Sequence, residues 1–141
     1  MAQGRPYQAY QNAQVTTSNQ KQLIIMLYDG MDRFLTRAVK SIKEGDIESS
    51  HSYLHRTGQI LLELLSTLRE DKGGEIATNL KRIYVYCYEQ VVIANLKKDV
   101  GMIREIQQIL GNLKGAWKQI GQKSVPMSTA TDAFQKIRVT G

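Results

Sequence analysis

The segment "IREIQQILGNLKGAWKQI", residues 103–120, carries the clearest structural pattern in the chain. Its large apolar residues follow one another at alternating steps of three and four positions: Ile103, Ile106, Leu110, Leu113, Trp117 and Ile120. This spacing places their side chains along one face of an α-helix, as in helices that pack in bundles. The segment therefore predicts an amphipathic helix with one buried face.

The length and the proline content favour a single all-helical domain. A chain of 141 residues, 42% of them hydrophobic, can bury one continuous core. Its two prolines, Pro6 and Pro126, stand in the terminal segments, so no proline interrupts the residues between them. Because proline breaks helix interiors, we expect long helices in this central part.

Capping residues divide the central part into helices. Ser18 precedes the first apolar periodic stretch as an N-cap, and Gly45 follows it as a left-handed stop. Asp46 caps a second helix, which we expect to end at the glycine pair of "EDKGGE". The expected helices span about residues 18–44 and 47–70.

The segment "IYVYCYEQVVI", residues 83–93, leaves two secondary structures open. Its β-branched and aromatic residues suit a strand on propensity alone. A strand here would have no partner elsewhere in the chain, whereas an apolar stripe continues at helical spacing through Ile76, Leu80, Ile83, Cys87, Val91 and Ala94. Length and isolation favour a third helix, from Glu75 to about Lys97.

Four amphipathic helices joined by short turns predict an all-α fold, an antiparallel up-down four-helix bundle. We expect the bundle to occupy residues 18–122, with a short N-terminal arm or cap helix over residues 1–17 and a flexible C-terminal tail over residues 123–141. Both flanks are mostly polar and weakly periodic, which is why we interpret them as arms.

The net charge of +6 raises nucleic acid as a partner, since 19 basic residues stand against 13 acidic ones. Half of the excess lies outside residues 18–120, and inside them the signs alternate, as in "LREDKGGE". Such alternation is typical of a solvated helical surface. We therefore expect no nucleic acid as a partner and keep a basic helical nucleic-acid-binding module as the alternative function.

Cysteine usage and the lengths of the apolar runs indicate the compartment. The single Cys87 cannot form an internal disulfide, and no charged-then-apolar leader opens the chain, so cytoplasm is the simplest localisation. Lys and Arg interrupt every apolar run before it reaches the ~20 residues that cross a bilayer. We expect no stable membrane insertion.

A search for catalytic and metal-binding patterns finds none that is complete. Glu48 and His51 have the Glu-x-x-His spacing of di-iron bundles, but such a site needs a second copy, and the chain has only one further histidine, His55. Cys87 lies in an apolar stripe, which suits a buried packing thiol. We expect no catalytic residue, no metal, no cofactor and no enzyme activity; a degenerate metal-dependent bundle enzyme stays as a second alternative.

The segment "LIIMLYDGMDRFL", residues 23–35, carries more apolar surface than one bundle helix needs. It contributes to two stripes rather than one, and Ile25 and Tyr28 widen the apolar surface further. The third helix shows a similar surplus at Tyr84, Tyr88 and Val92. Two explanations remain open: a wide core with the protein's own arms folded over it, or a groove for another chain.

Several short segments follow one another at family-like separations over roughly residues 7–120: "LIIMLYDGMDRFL", "EGD" at 44–46, "ELLSTL" at 63–68, "GGEIATNL" at 73–80, "ANLKKD" at 94–99 and "GAWK" at 115–118. Together they resemble the flagellar secretion chaperones of the FliS family. The chain departs from the family pattern before the first helix. Family members often have Ala followed by Ser-Pro there, whereas this chain has Thr17, Ser18 and Asn19, so the serine matches and the proline is missing. The segment after Gln122 lies outside the resemblance.

The resemblance implies a helical bundle that binds the C-terminal segment of newly made flagellin in the cytoplasm, prevents premature filament assembly and helps deliver the subunit to the flagellar export gate. The expected partner-binding residues are Tyr7, Tyr10, Val15, Ile24, Ile25, Tyr28, Met31, Tyr84, Tyr88, Val92 and Asn95. The oligomeric state stays open.

Tyr7 and Tyr10 in the N-terminal arm predict a lid over the apolar surplus. They stand three positions apart, with Val15 a short reach beyond, so one helical turn would present both rings on one side. If the lid closes over the groove, it lowers apparent affinity by the fraction of time that it is closed. Deletion of residues 1–14 should therefore tighten or speed the binding of a flagellin C-terminal peptide, measured by calorimetry, and increase dye binding to exposed apolar surface.

Two other results of this deletion would contradict the lid. Lost peptide binding with a folded bundle would make the tyrosines contact residues for flagellin. Unchanged binding would mean that the arm is an ordinary polar tail.

Overall fold

The computed structural model describes the backbone of residues 17–121 and the side chains of residues 20–69 and 73–119. The expected arm, apart from Thr17, and the expected tail lie outside these residues, and so does the proposed lid with Tyr7, Tyr10 and Val15.

The described residues form four α-helices: α1 (Thr17–Lys43), α2 (Ile47–Thr67), α3 (Glu70–Lys97) and α4 (Val100–Gly121). Helices α1 and α3 each pack against α2 and α4. Helices α1 and α3 therefore lie on one diagonal of the bundle, and α2 and α4 on the other. The expected all-α four-helix bundle is confirmed.

The connection between α1 and α2 follows from two residues. Gly45 has a φ of 77°, a left-handed conformation that favours glycine. The Asp46 carboxylate then accepts a hydrogen bond from the Ser49 backbone N–H at 3.1 Å and caps α2. Hydrogen bonds from the Ser49 side chain and from its backbone N–H hold the pKa of Asp46 below its ordinary value. The expected stop and cap are confirmed, while α1 begins at Thr17, one residue before the expected cap Ser18.

The second connection lies earlier than expected. Helix α2 ends at Thr67, Leu68 is extended, and α3 begins at Glu70, so the prediction that "EDKGGE" ends the second helix is wrong. The glycine pair instead lies inside the first turns of α3, where Gly74 (φ 54°, ψ −131°) kinks the helix. At the end of α2, Leu68 has an extended backbone and its side chain packs against the core.

Residues 83–93 are helical, as their flanking stripe indicated, and the strand alternative is excluded. Helix α3 ends at Lys97, and Lys98 adopts a left-handed conformation with a φ of 52°. The Asp99 carboxylate accepts a hydrogen bond from the Met102 backbone N–H at 3.1 Å, so Asp99 caps α4. Two residues thus suffice to reverse the chain.

The predicted stripes form one core. In α4 the heptad residues Ile103, Ile106, Leu110 and Leu113 are buried, and Trp117 is partly buried. The buried residues of the α3 stripe are Leu80, Cys87, Val91 and Ala94. The core also takes Tyr28, Met31, Leu35, Ala38 and Val39 from α1, which accounts for part of that helix's apolar surplus.

Tyr28 and Tyr84 join α1 and α3 across the diagonal of the bundle. Their hydroxyl oxygens lie 2.5 Å apart, and the Trp117 indole N–H of α4 donates to the Tyr28 oxygen at 3.2 Å. The two tyrosines are only 2% and 1% exposed. Because an unpaired buried hydroxyl is costly, each needs the other as a hydrogen-bond partner in an otherwise apolar core.

This hydrogen bond predicts non-additive mutational costs. Tyr28→Phe or Tyr84→Phe alone removes the partner of a buried hydroxyl and should lower the free energy of unfolding by about 1–3 kcal/mol. The double variant removes both hydroxyls and should cost clearly less than the sum of the single losses. Urea unfolding followed by circular dichroism measures all three. Additive losses would show that the two hydroxyls are not energetically coupled.

The same burial predicts sensitivity to alkali. Desolvation raises the pKa of Tyr84 to about 12 and that of Tyr28 well above its ordinary value of 10. The unfolded chain therefore loses these protons at lower pH than the folded protein, so the stabilisation is complete below pH 10 and declines as pH rises towards 12. The Tyr28→Phe, Tyr84→Phe double variant should lose less stability over this range. An identical decline in both proteins would contradict this assignment.

Candidate partner-binding groove

Large exposed apolar side chains lie mainly on α3 and α2. Helix α3 exposes Val85, Tyr86, Val92 and Leu96, and α2 exposes Ile47 and Leu62. Helix α1, which had the largest apolar surplus in the sequence, exposes Met26. The apolar surface that another chain could contact therefore lies mainly on α2 and α3 and only to a small extent on α1.

A groove of about 280 Å³ runs between α2 and α3. We call it the α2–α3 groove. Its lining from α2 is His51, Leu54, His55, Gly58, Gln59 and Leu62, and its lining from α3 is Tyr88, Val91, Val92, Asn95 and Leu96. On each helix these positions recur at steps of about three and four, so each helix contributes one continuous face.

Gly58 allows the two walls of the groove to approach each other. A Cβ atom at this position would lie 3.4 Å from Cε1 of the Tyr88 ring, so the ring packs directly over the helix backbone. Gly58 is buried, and Tyr88 is partly buried against the core. One side of the Tyr88 ring therefore rests on the bundle while the residue lines the groove.

One end of the groove is polar. Lys98 Nζ donates a hydrogen bond to Asn95 Oδ1 at 2.5 Å, and Asn95 Nδ2 lies 3.1 Å from His51 Nδ1 on α2. The rings of His51 and His55 stack with their centroids 6.1 Å apart. This end lies at the start of α2 and the end of α3, whereas Leu62 marks the apolar opposite end.

The sequence-predicted site residues divide into four groups. Tyr88, Val92 and Asn95 meet in the α2–α3 groove. Ile24 and Ile25 are partly exposed on α1, away from that groove. The residues buried in the core are Tyr28, Met31 and Tyr84, so no partner can contact their side chains while the bundle is closed. Tyr7, Tyr10 and Val15 lie outside the described residues.

The sequence interpretation missed the α2 wall of the groove. His51, His55, Gly58 and Leu62 follow one another at steps of four, three and four, beside the buried stripe of Leu54, Leu61 and Leu64. From the sequence, the histidines were considered only as part of an incomplete metal site, and in the structure both are exposed. This second stripe of α2, together with Leu96 four positions after Val92, is the signal that could have located the groove.

A second cavity of about 190 Å³ lies between α1 and α4 and has a polar margin. There Lys114 forms a salt bridge with Asp29, and Gln107 Nε2 donates to Asp32 Oδ1 at 3.2 Å and to Thr36 Oγ1 at 2.9 Å. These contacts already tie the two helices together. The cavity offers a helix-sized partner less apolar surface than the α2–α3 groove does.

The side chains of the types that react or bind metals have no reactive arrangement in the described part of the chain. Cys87 is buried, and desolvation raises the pKa of its thiol to about 12, which keeps it protonated and unreactive. Among the described residues no three His, Cys, Asp or Glu side chains come together as metal ligands. Within the same part of the chain, no helix has the length and apolar character needed to cross a membrane.

Comparison with known proteins agrees with this architecture. The family model described as "Flagellar protein FliS" matches residues 1–124. The flagellar secretion chaperone FliS of Salmonella typhimurium is 38% identical over 78% of this chain and 82% of its own length. Those of Campylobacter jejuni and Bacillus subtilis are 35% and 34% identical, over 81% and 84% of this chain and 89% and 88% of their own lengths. The chain belongs to the FliS family of flagellar secretion chaperones.

Proposed function

We propose that this protein binds the C-terminal segment of flagellin in the α2–α3 groove, in the cytoplasm, before export. Binding would keep the subunit from polymerising prematurely and present it to the flagellar export gate. The observation that carries the proposal is the exposed apolar groove in a chain of this family, because a groove between two helices suits an amphipathic helical segment.

The energetics of such binding need no nucleotide and no catalytic group. A segment that is disordered when free orders as it binds, at a cost of about 2–5 kcal/mol, and burial of its apolar stripe offsets that cost. The exposed Val92, Leu96 and Leu62 supply the apolar surface to be buried. We infer that the protein acts by binding alone and that competition at the export gate can release the partner.

The lining of the groove supports a specific set of proposed contact residues. We propose Tyr88, Val92 and Asn95 as contacts, joined by Leu62 and Leu96, because these residues line the same groove. Ile24 and Ile25 remain proposed contacts on α1, where they would meet a second part of an extended partner. Tyr28, Met31 and Tyr84 hold the bundle together, so we assign them to the core that supports the groove.

Val92→Glu tests the groove, and Val85→Glu is its matched control. Both valines lie on α3 and are exposed to a similar extent, 43% and 39%, but only Val92 lines the groove. Burial of a carboxylate in the apolar interface should weaken binding of a flagellin C-terminal peptide at least tenfold in the Val92 variant and leave the Val85 variant near wild type. Calorimetry measures affinity, and thermal unfolding checks that both variants are folded.

Two outcomes would contradict the proposal. Equal affinities of the two variants would mean that the groove is not the binding site. Failure of the wild-type protein to bind the peptide, combined with nucleic-acid binding that weakens steeply as salt is added, would favour the nucleic-acid alternative.

A further inference from the structure

We propose that the polar end of the α2–α3 groove, where His51 and Asn95 line the groove and Lys98 is bonded to Asn95 beside it, binds the α-carboxylate at the end of the partner chain and thereby fixes the direction in which that chain lies. This inference rests on the proposed function. It adds a specific chemical group to the partner and a direction to the complex.

The hydrogen bonds at this end have one consistent orientation. The Lys98 ammonium can only donate, so the Asn95 oxygen must face it, as the 2.5 Å contact shows. The Asn95 amide nitrogen then faces His51 Nδ1, 3.1 Å away, and that ring nitrogen must accept. A neutral imidazole that accepts at Nδ1 carries its proton on Nε2, so His51 presents an N–H donor.

The groove end therefore offers several donors to an incoming group. One N–H of the Lys98 ammonium bonds to Asn95, and an ammonium has three. His51 Nε2 adds one more donor from the opposite wall. A group with two acceptor oxygens and a negative charge can satisfy donors from both walls at once, and a carboxylate has this form.

Lys98 itself shows two features that a surface lysine does not need. Its φ of 52° places it in the left-handed region at the end of α3, where glycine is favoured. Burial also lowers the pKa of its ammonium, and the hydrogen-bond partner it has, Asn95, is neutral. An arriving carboxylate would restore the stabilisation of the charge that burial removes.

Two acidic groups near this end, Asp99 and Asp46, are engaged in helix caps. The Asp99 carboxylate accepts from the Met102 backbone N–H, and the Asp46 carboxylate accepts from the Ser49 backbone N–H. Each thus caps the start of a helix. Glu48, one turn before His51, is exposed to solvent, and so is Lys97, which adds positive charge beside Lys98.

The position of this polar end sets the direction of the partner. The groove extends from Leu62 at one end to His51, Asn95 and Leu96 at the other, and Lys98 follows at the end of α3. A chain whose apolar stripe fills the groove and whose terminus reaches Lys98 must run parallel to α3. The last turn of a helix also exposes carbonyl oxygens, which can accept hydrogen bonds from the same donors alongside the carboxylate.

Two flagellin C-terminal peptides of identical sequence test the proposal, one with a free α-carboxylate and one with a C-terminal amide. Their affinities are measured by calorimetry for the wild-type protein and for Lys98→Met and Lys97→Met. We expect amidation to weaken binding about tenfold in the wild type and in the Lys97 variant, and to have little effect in the Lys98 variant. Thermal unfolding confirms that both variants are folded.

Several outcomes would overturn the proposal. Equal binding of the two peptides to the wild type would exclude recognition of the terminus, while the proposed function would stand if Val92→Glu still weakens binding. If amidation weakened binding equally in the Lys97 and Lys98 variants, the loss would be due to general charge attraction and not to a contact with Lys98. Absence of binding by both peptides would refute the proposed function and this inference together.

Discussion

The hydrogen bond between Tyr28 and Tyr84 is the constraint on which the rest of the bundle depends. It joins the two helices that do not pack directly against each other, and Trp117 brings a third helix to the same point. An apolar core alone tolerates small rotations of its helices, because many packings bury similar area. A buried hydroxyl pair does not, since any rotation that separates the oxygens breaks their mutual hydrogen bond and leaves Tyr28 only the bond from the Trp117 N–H.

The rotation of α3 in turn decides which of its residues face outwards. With Tyr84 and Cys87 directed into the core, Val85, Val92 and Leu96 remain at the surface. Tyr88, one turn after Tyr84, reaches α2 and packs over Gly58. The groove thus follows from how the core is packed. One side of α3 supplies the hydrogen bond to Tyr28, and another side lines the groove proposed as the docking surface.

The sequence predicted the helices well and their rotation poorly. The heptad of α4 and the stripe of α3 were predicted correctly, because a helical period identifies the buried face of a single element. Periodicity does not show how far a wide apolar face turns towards the core, so Tyr28, Met31 and Tyr84 were expected at a binding surface and lie inside. The end of α2 was misplaced because a glycine pair is a strong local signal, whereas Leu68, the extended residue at which α2 ends, carries no such signal in the sequence.

The connections between the helices are very short, and each of the three has a residue in the left-handed region at or near it: Gly45, Gly74 and Lys98. Proteins often place recognition on loops, whose sequences can change freely. Tight reversals leave the described bundle little loop to vary, so the recognition proposed here would fall to the long sides of its helices. Binding to such a surface would depend more on the periodic spacing of the partner's apolar side chains than on the identity of each residue. It can therefore accept segments that differ in sequence as long as they keep the spacing of an amphipathic helix.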